Sequence, residues 1–429
     1  MATCTDTEDA LAVRRTHVQF DRNLVGLDRI VVRGALLSMV TFGVYRFWYM
    51  TELRRFFWSR TLIAGSPAQY TGRGRELFIG FLIATAVFLP IYLAIWIAAL
   101  SFPEIADFST LLLVVVLYPL VQYAKYRGRR YRTSRTSWRG IRLSQDGSAR
   151  VYMSKAVGWT MLSLATFGLA YPFMRASLER YRIDHTLVGT SRMSSAMDGW
   201  VLVKPWLIFH LFSITPVIVA AIAFLIATDF TIPRDLFVPD LAGPPGKLTI
   251  NEDYIETNVV FSAAILLVTV LICLLLAISL GPFYRAKELK AFLNAVRLGE
   301  CRLESRLKAR TIYAAYSWYA LAFAGFVGLL LGITSVVRPA LTQVGGYTPT
   351  QSITLALLVL AYLAGAFLLN LLYVRVIQVR LWRAVAETTA IENGDVLEGI
   401  TASRHRVAGA LDEGLSDAMG VGSALEAGL

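Results

Sequence analysis

Charged residues are scarce in this chain. Asp, Glu, Lys and Arg make up 17% of its 429 residues, against about a quarter in a typical soluble domain. Hydrophobic residues make up 56%, and the mean hydropathy is +0.55. This composition is typical of a multispanning membrane protein and excludes an ordinary soluble globular domain. The net charge of +12 is then a guide to topology, because cytoplasmic loops of membrane proteins are rich in Lys and Arg.

Residue types that carry catalytic or metal chemistry are also rare. The chain has three cysteines and four histidines, and Cys4, Cys273 and Cys301 have no paired spacing that would indicate disulfides or a metal site. The Walker A pattern of ATPases and the HExxH zinc motif are absent from the sequence. Nothing resembles a nucleic-acid-binding module. We therefore expect no cofactor, no metal, no nucleic-acid partner and no enzymatic activity.

Long apolar runs are plentiful, and about 20 such residues are needed to cross a bilayer. Six segments reach this length fully or nearly: 77–102, 109–124, 206–227, 258–282, 312–336 and 352–376. Two others, 34–50 and 158–174, are shorter or more interrupted. They can be interpreted as ordinary spans, which would give eight. They can also be re-entrant or interfacial segments that return to the side from which they came.

The charges of the loops favour the second interpretation. Four loops are basic: 51–76, 125–153, 175–204 and 285–310. Loop 228–257 is acidic. With eight spans, two of the basic loops would face outside and the acidic loop inside. With six spans, every basic loop is cytoplasmic. We therefore predict an all-α polytopic membrane protein with six full transmembrane helices in three hairpins, two re-entrant or interfacial segments, and small cytoplasmic helix and β elements.

This topology divides the chain into four regions. Residues 1–33 are predicted to form a cytoplasmic N-terminal segment and 377–429 a cytoplasmic C-terminal tail. Residues 34–205 are predicted to form a first membrane region with three repeats of a basic pattern, and 206–376 a second membrane region with the acidic external loop 228–257.

Three basic segments repeat one pattern, R-[FY]-x3-[RH]-T, with a glycine three or four residues later. The first arginine is Arg55, Arg130 or Arg180, and the residue before the threonine is Arg60, Arg135 or His185. On amphipathic helices at the membrane surface these side chains can reach anionic lipid headgroups. Alternatively, they only satisfy the positive-inside rule. We expect the glycine to end the helix and the runs after it to form small strands.

Later basic loops are related to this pattern more distantly. The segments 290–310 and 380–394 lack the spacing of arginine and threonine. We interpret them as degraded relatives of the repeat.

Among the polar residues within the apolar segments, the best candidates for function are His210 and Asn370. An ionisable or polar residue inside a membrane is a candidate functional residue. His210 could relay protons or bind a ligand, and Asn370 is a second candidate for a functional role. Each could instead form a hydrogen bond to a neighbouring helix.

Three stretches of the chain carry a family likeness: TFGVYRFWYMTELRRFFWSRTLIAG with QYTGRGRELFIGF, YRGRRYRTSRTSWRGIRLSQDGS, and TFGLAYPFMRASLERYRIDHTLVG. They resemble the YjgN family of bacterial inner-membrane proteins, whose function is unknown. The resemblance covers residues 18–215 well and the remaining spans loosely. It implies a polytopic protein of the bacterial cytoplasmic membrane and brings no activity and no catalytic residues.

Two functions remain open from the sequence. The repeated membrane units are typical of transporters built from internal repeats, which favours a small-solute transporter or channel. The repeated arginines at the cytoplasmic surface favour a non-catalytic protein that binds anionic lipid headgroups or organises partner proteins.

Overall fold

The computed structural model describes residues 15–231, 233, 236–239, 248–255, 257–341 and 349–402. The helices are α1 Leu27–Val40, α2 Arg46–Ser59, α3 Gly74–Ser101, α4 Pro103–Ser134, α5 Ala149–Ala165, α6 Tyr171–Asp184, α7 Trp200–Ser213, α8 Thr215–Ala227, α9 Glu252–Ile255, α10 Asn258–Ala295, α11 Ala309–Leu341, α12 Pro349–Leu372 and α13 Val379–Thr388. A π-helical segment, Tyr373–Gln378, joins α12 to α13, and a 3-10 helix spans Gly394–Gly399.

The strands are three to five residues long, with one exception of two. They are β1 Arg15–His17, β2 Gln19–Phe20, β3 Thr61–Ile63, β4 Ser66–Tyr70, β5 Thr136–Trp138, β6 Ile141–Gln145, β7 Thr186–Val188, β8 Ser191–Ser195, β9 Phe237–Pro239, β10 Leu248–Ile250, β11 Val296–Leu298, β12 Cys301–Ser305 and β13 Thr389–Glu392. Strands β9 and β10 pair with each other in the acidic loop. All the others belong to one antiparallel sheet.

This sheet closes on itself. Its order is β1-β13-β12-β11-β8-β7-β6-β5-β4-β3-β2, and β1 and β2 are two halves of one stretch separated only by Val18. The backbone N–H of Val18 donates to the Thr389 carbonyl at 3.1 Å. Since β1 pairs with β13 while β2 pairs with β3, the strands form a ring, and closure removes exposed sheet edges.

The protein is mostly helical, as predicted, but the all-α part of the prediction is not confirmed, because the predicted small β elements belong to an eleven-stranded sheet. Each strand is so short that two or three alternating residues are its only signal. The predicted small strands after the repeat glycines do form, as β4 and β6. They pair with the preceding strands β3 and β5, which the sequence pattern did not predict.

The ring is built from repeated units of helix, β-hairpin and helix. Unit one is α2-β3-β4-α3, unit two is α4-β5-β6-α5, unit three is α6-β7-β8-α7, and unit four is α10-β11-β12-α11. Unit five joins the two ends of the described chain, with α13 and β13 from one end and β1, β2 and α1 from the other. The last strand of each unit pairs with the first strand of the next.

The predicted spans coincide with the long apolar helices. Among the described residues, five helices are long and apolar enough to cross a membrane, within 74–101, 108–134, 258–295, 309–335 and 355–388. The bent pair α7 and α8, with an angle of 41°, makes a sixth if it is one span. Only 0–11% of the residues in the apolar windows of the five single helices are buried, so these spans present most of their surface to their surroundings.

The two interrupted segments form short helical hairpins, α1 with α2 and α5 with α6. Both ends of each hairpin connect to strands of the ring. The turns at their tips are TFG sequences with the same conformation. Thr41 accepts from the N–H of Tyr45 at 2.9 Å, and Thr166 accepts from Ala170 at 3.1 Å. The phenylalanine and the glycine that follow each threonine have positive φ.

Candidate functional site

The threonine of the repeat joins each first helix to the ring. The hydroxyls of Thr61, Thr136 and Thr186 each donate to the carbonyl four residues earlier, at 2.8–2.9 Å. Thr389 of unit five does the same to Val385 at 2.6 Å. The hydroxyl thus binds one of the last carbonyls of the helix, which lack the backbone N–H four residues later that carbonyls inside a helix have. In unit four Val296 takes this position, so the unit forms without the bond.

The first arginine of the repeat fastens the unit from the other side. Arg55 Nη2 donates to the Gly72 carbonyl at 2.7 Å, and Arg180 Nη2 donates to the Met197 carbonyl. Both acceptors lie 17 residues after the arginine, in the segment between the hairpin and the second helix. Arg130 holds the equivalent position in unit two and is half-buried. Contact of these arginines with lipid stays a prediction.

The residue before the repeat threonine also binds protein atoms. Arg60 donates to the carbonyls of Asn23 and Val25 at 2.6 and 3.1 Å. Arg135 pairs with Glu76 at 2.9 Å. His185 Nδ1 lies 2.9 Å from the Tyr181 carbonyl. Five of the six repeat residues, Arg55, Arg180, Arg60, Arg135 and His185, therefore bind protein atoms and help to hold the ring units in shape.

The predicted role of the repeat glycine as a helix terminator is wrong. The helices end before the threonine, and Gly65 lies in the two-residue turn of a β-hairpin. Ala64 and Gly65 have φ of 47° and 75°, and Arg139 and Gly140 have 50° and 75°. Positive φ at both central residues is the type I′ geometry that matches the twist of paired strands.

Two tryptophans link neighbouring units at the rim of the ring. The indole N–H of Trp382 donates to the Thr61 hydroxyl at 2.7 Å, and that of Trp58 donates to Thr136 at 3.1 Å. The rings of Trp58 and Trp382 are 4.8 Å apart. The first helix of unit five is thereby bound to the first strand of unit one, and the first helix of unit one to the first strand of unit two.

A cavity of about 390 Å³ lies within the ring. Its walls include strand residues from every unit: Ile63, Trp138, Leu143, Val188, Met193, Leu298, Leu303 and Ile391. Helices of units one, four and five cover it, with Leu53, Phe57, Leu293, Leu381 and Val385 among the lining residues. Pockets for small molecules are of this kind, about 300–1,000 Å³ and mostly apolar with a few polar groups.

The polar groups at this cavity are few. Arg54 and Arg302 supply the charges, and Thr61, Thr389 and Gln378 supply neutral polar groups. Arg54 is buried at 7% exposure and donates to the Tyr70 hydroxyl at 3.3 Å. A charge in an apolar wall can orient an amphipathic ligand.

The opposite end of the ring is closed by the segment after β13. Leu397 and Ile400 are buried, and they pack with Trp138, Ile141 and Val188. Leu397 also lines the cavity. The cavity is therefore covered on one side by helices and on the other by this segment.

Cys301 lies in the cavity wall and is buried. Its thiol lies 2.9 Å from the Asn393 carbonyl, and burial raises the pKa of the thiol. The described residues contain no group of three or more His, Cys, Asp or Glu side chains arranged to hold a metal ion.

His210 binds the tip of the hairpin α5-α6. Its Nε2 is 2.7 Å from the Phe167 carbonyl, and its Nδ1 is 3.0 Å from the Thr215 hydroxyl. The indole N–H of Trp206 donates to the Gly168 carbonyl at 2.9 Å. His210 is buried and ties a TFG turn to the bend between α7 and α8.

Asn370 binds the other short hairpin. The Tyr49 hydroxyl of α2 donates to its Oδ1 at 3.2 Å. The two polar residues that sequence reasoning selected therefore contact one short hairpin each. The cavity residues Arg54, Trp58 and Trp382 were missed, because they follow a helical spacing that becomes visible only when the units are superimposed.

Comparison with known proteins gives a family and no function. A family model described as a bacterial protein of unknown function, DUF898, matches residues 15–418. No curated protein and no solved structure matches the chain.

Proposed function

We propose that this chain, which belongs to the DUF898 or YjgN family of bacterial proteins of unknown function, is a non-catalytic membrane protein. In this proposal it holds the apolar part of a membrane lipid inside the ring. The observation that carries this proposal is the cavity of about 390 Å³. Its walls are mostly aliphatic and aromatic, and an apolar chain gains free energy by leaving water for such a site.

The proposal places the ring on the cytoplasmic side of the bacterial inner membrane, with both termini on that side. The basic loops contain the ring hairpins, and basic loops are cytoplasmic. The short hairpins support the same arrangement. Their helices have 14 residues in α1, α2 and α6, about 21 Å each, which is too short for a hydrocarbon core of about 30 Å.

The contacts of His210 fit re-entry of the hairpin α5-α6. His210 lies ten residues after Trp200, the start of α7, which is about 15 Å along a helix. A tip held at that depth would reach the middle of the bilayer and turn back. His210 and Trp206 bind two backbone carbonyls of the tip, which supports re-entry because backbone polar groups need protein partners at that depth.

The test is to fill the cavity and measure bound lipid. Ala386→Phe and Leu143→Trp add volume at the helical and strand walls. Ala94→Phe adds the same group as the first variant at an exposed position of α3. We expect lipid extracted from the purified protein, counted by mass spectrometry, to fall in both cavity variants and to stay unchanged in Ala94→Phe. Equal lipid content in all three would refute the proposal.

Transport of a small solute is a second candidate. One observation favours it: the helices contact each other in the same cyclic order as the strands. Because α12 lies next to α1, the helices close a circle around the axis of the ring. Release of a trapped fluorescent dye from proteoliposomes would test it. Release that Ala386→Phe abolishes favours transport, and no release above that of protein-free liposomes counts against it.

A further inference from the structure

The segment that closes the ring on the side away from the helices is a short strap, residues 393–401. It contains the 3-10 helix Gly394–Gly399, and side chains three residues apart lie on one face of such a helix. Gly394, Leu397 and Ile400 have this spacing and are buried, whereas the residues between them are exposed. One face of the strap is therefore directed into the ring.

The buried face of the strap completes the wall of the cavity. Leu397 lines the cavity. Together with Ile400 it packs in one apolar cluster with strand residues of units two to five, which are Trp138, Ile141, Val188, Leu298, Cys301 and Ile391. If the strap moved away, the apolar space would open to water on the side of the hairpin turns.

Both ends of the strap are bound to hairpins of the ring. At the first end, the Cys301 thiol donates to the Asn393 carbonyl at 2.9 Å, and Asn393 Nδ2 donates to the Glu300 carbonyl at 3.3 Å. At the other end, the N–H of Thr190 donates to the Thr401 carbonyl at 3.2 Å, and the hydroxyls of these threonines are 3.2 Å apart. The strap thus crosses the end of the ring from unit four to unit three.

These attachments are weaker than those between the strands of the ring. Strands β12 and β13 pair from Arg302 to Ser305 through a ladder of backbone bonds. By contrast, a thiol is a weak donor, and the bonds of Asn393 to Glu300 and of Thr190 to Thr401 are exposed to solvent. Segments held by exposed hydrogen bonds and few buried side chains open more readily than the rest of a protein.

A glycine marks the point where the strap approaches the ring most closely. A Cβ at Gly189 would collide with the Thr401 carbonyl and would lie 2.9 Å from Ile141 Cγ2. Gly299, at the equivalent turn position of unit four, has the same φ of 60°, but a Cβ there would lie 3.8 Å from Val396 Cγ1. An added methyl group at 189 therefore displaces the strap, and one at 299 does not.

We propose that the strap is a gate, which moves away from the ring and opens the cavity to water on the side of the hairpin turns. Asn393 has a φ of 56° and joins the strap directly to β13, so the chain itself fixes the first end. The gate therefore opens at the Thr401 end. The ligand that passes it, the apolar part of a lipid, rests on the proposed function, whereas the opening rests on the contacts of the strap.

The native thiol of Cys301 reports the opening. Cys301 is 3% exposed. Burial raises the pKa of its thiol, and the charges of Asp395 and Glu300 raise the pKa further. A maleimide reacts with an accessible thiolate, so a water-soluble maleimide should modify Cys301 only while the strap is open. The rate then follows the open fraction when opening and closing are fast.

A disulfide across the moving end of the strap tests the gate directly. Thr190→Cys with Thr401→Cys places two thiols where the hydroxyls are 3.2 Å apart, and Cys4→Ser is included here and in the parent used for comparison. The purified protein is oxidised in detergent micelles, and modification is counted on the Cys301 peptide by mass spectrometry. We expect the disulfide to slow modification about tenfold or more. Equal rates in the oxidised variant and its parent would overturn the gate.

Two glycine variants test the opposite change. Gly189→Ala should speed modification of Cys301 about tenfold, because overpacking displaces the strap. Gly299→Ala introduces the same backbone strain without the collision and should change the rate little. Cys273, which is buried in α10, stays in every variant, and its modification would rise only if the protein unfolded more widely. A rate in Gly189→Ala no higher than in Gly299→Ala would count against the gate.

Exchange of bound lipid separates the gate from the proposed function. The same micelles receive phosphatidylglycerol with deuterated chains, and replacement of the bound lipid is followed by native mass spectrometry. We expect slower replacement in the oxidised variant than in its parent. Equal replacement would overturn the gate as the route of the ligand and leave the proposed function standing. Protection of Cys301 by the disulfide, with no lipid bound to any variant, would support the gate and refute the lipid function.

Discussion

The repeat threonines give the most quantitative prediction, because the chain contains its own control. Four units have a threonine that binds the end of the first helix, and unit four has Val296 at that position. Thr→Val replaces the hydroxyl by a methyl group of similar volume. A measured loss of stability therefore reports the hydrogen bonds rather than packing.

The expected losses fall into two classes. Thr186→Val and Thr389→Val each remove one hydroxyl-to-carbonyl bond, which contributes about 1 kcal/mol. Thr61→Val and Thr136→Val also leave a tryptophan N–H without its acceptor. Both bonds are part-buried, so only part of the roughly 1–3 kcal/mol for an unsatisfied buried donor applies, and these two variants should lose about 2–3 kcal/mol.

The assay is unfolding of each purified variant in the same mixed micelles, followed by tryptophan fluorescence. Val296→Thr is the matched reverse change and should be neutral or stabilising, since it offers a hydroxyl to the Phe292 carbonyl. Equal losses for all four threonine variants would contradict the role of the tryptophan bonds. A loss in Val296→Thr as large as in Thr186→Val would refute the shared role of the position.

Three other perturbations have definite expected results. His210→Ala removes both hydrogen bonds of the imidazole and should lower the unfolding temperature, while Leu211→Ala at an exposed site of the same helix should have little effect. Because the pKa of Glu179 is lowered in the folded state, its contribution is present above the pKa of the unfolded chain, about 4.3, and is lost as pH falls through the folded value. A pH series should therefore show a smaller acid-induced loss of stability in Glu179→Gln than in the wild type. Gly189→Ala should destabilise more than Gly65→Ala in thermal unfolding. Both glycines have positive φ, but a Cβ at Gly189 would also meet the Thr401 carbonyl.

The sequence predicts the membrane part of the fold well. Five of the six long segments coincide with candidate spanning helices, and the sixth coincides with the bent pair α7 and α8, because the length of an apolar run is a strong signal. The TFG sequences mark the tips of the short hairpins, and the repeat pattern marks three of the five units. Each of these features lies within a short stretch of neighbouring residues, so it can be recognised in a single sequence.

Closure of the ring could not be predicted in this way. Strand β1 pairs with β13, whose residues lie at the other end of the described chain, and neither strand has more than four residues. Unit four was interpreted as a degraded relative because Val296 replaces the threonine. One hydrogen bond is a small part of the stability of a unit, so the hairpin forms without it. One signal for the hairpin turn was present in the sequence: the pair Ala64 and Gly65, which ends in glycine and lies between two short runs of alternating residues.

The position of Arg54 depends on both kinds of information. Arg54 directly precedes Arg55 in the chain, but only the structure shows that it lines the cavity. A helix turns about 100° per residue, which separates Arg54 in the cavity wall from Arg55, which binds the Gly72 carbonyl.

The most direct test of the account is the side of the membrane on which the ring hairpins lie. Single cysteines at Ala64, Arg139, Thr190 and Glu300 place one probe in each of four hairpin turns, in a background without the native cysteines. Thr249 in β10 places a probe in the acidic loop. In intact cells, an impermeant thiol reagent should label the cysteine at position 249 and none of the other four. Labelling at 190 or 300 with protection at 249 would contradict the one-sided ring, and the shared cavity would be lost with it.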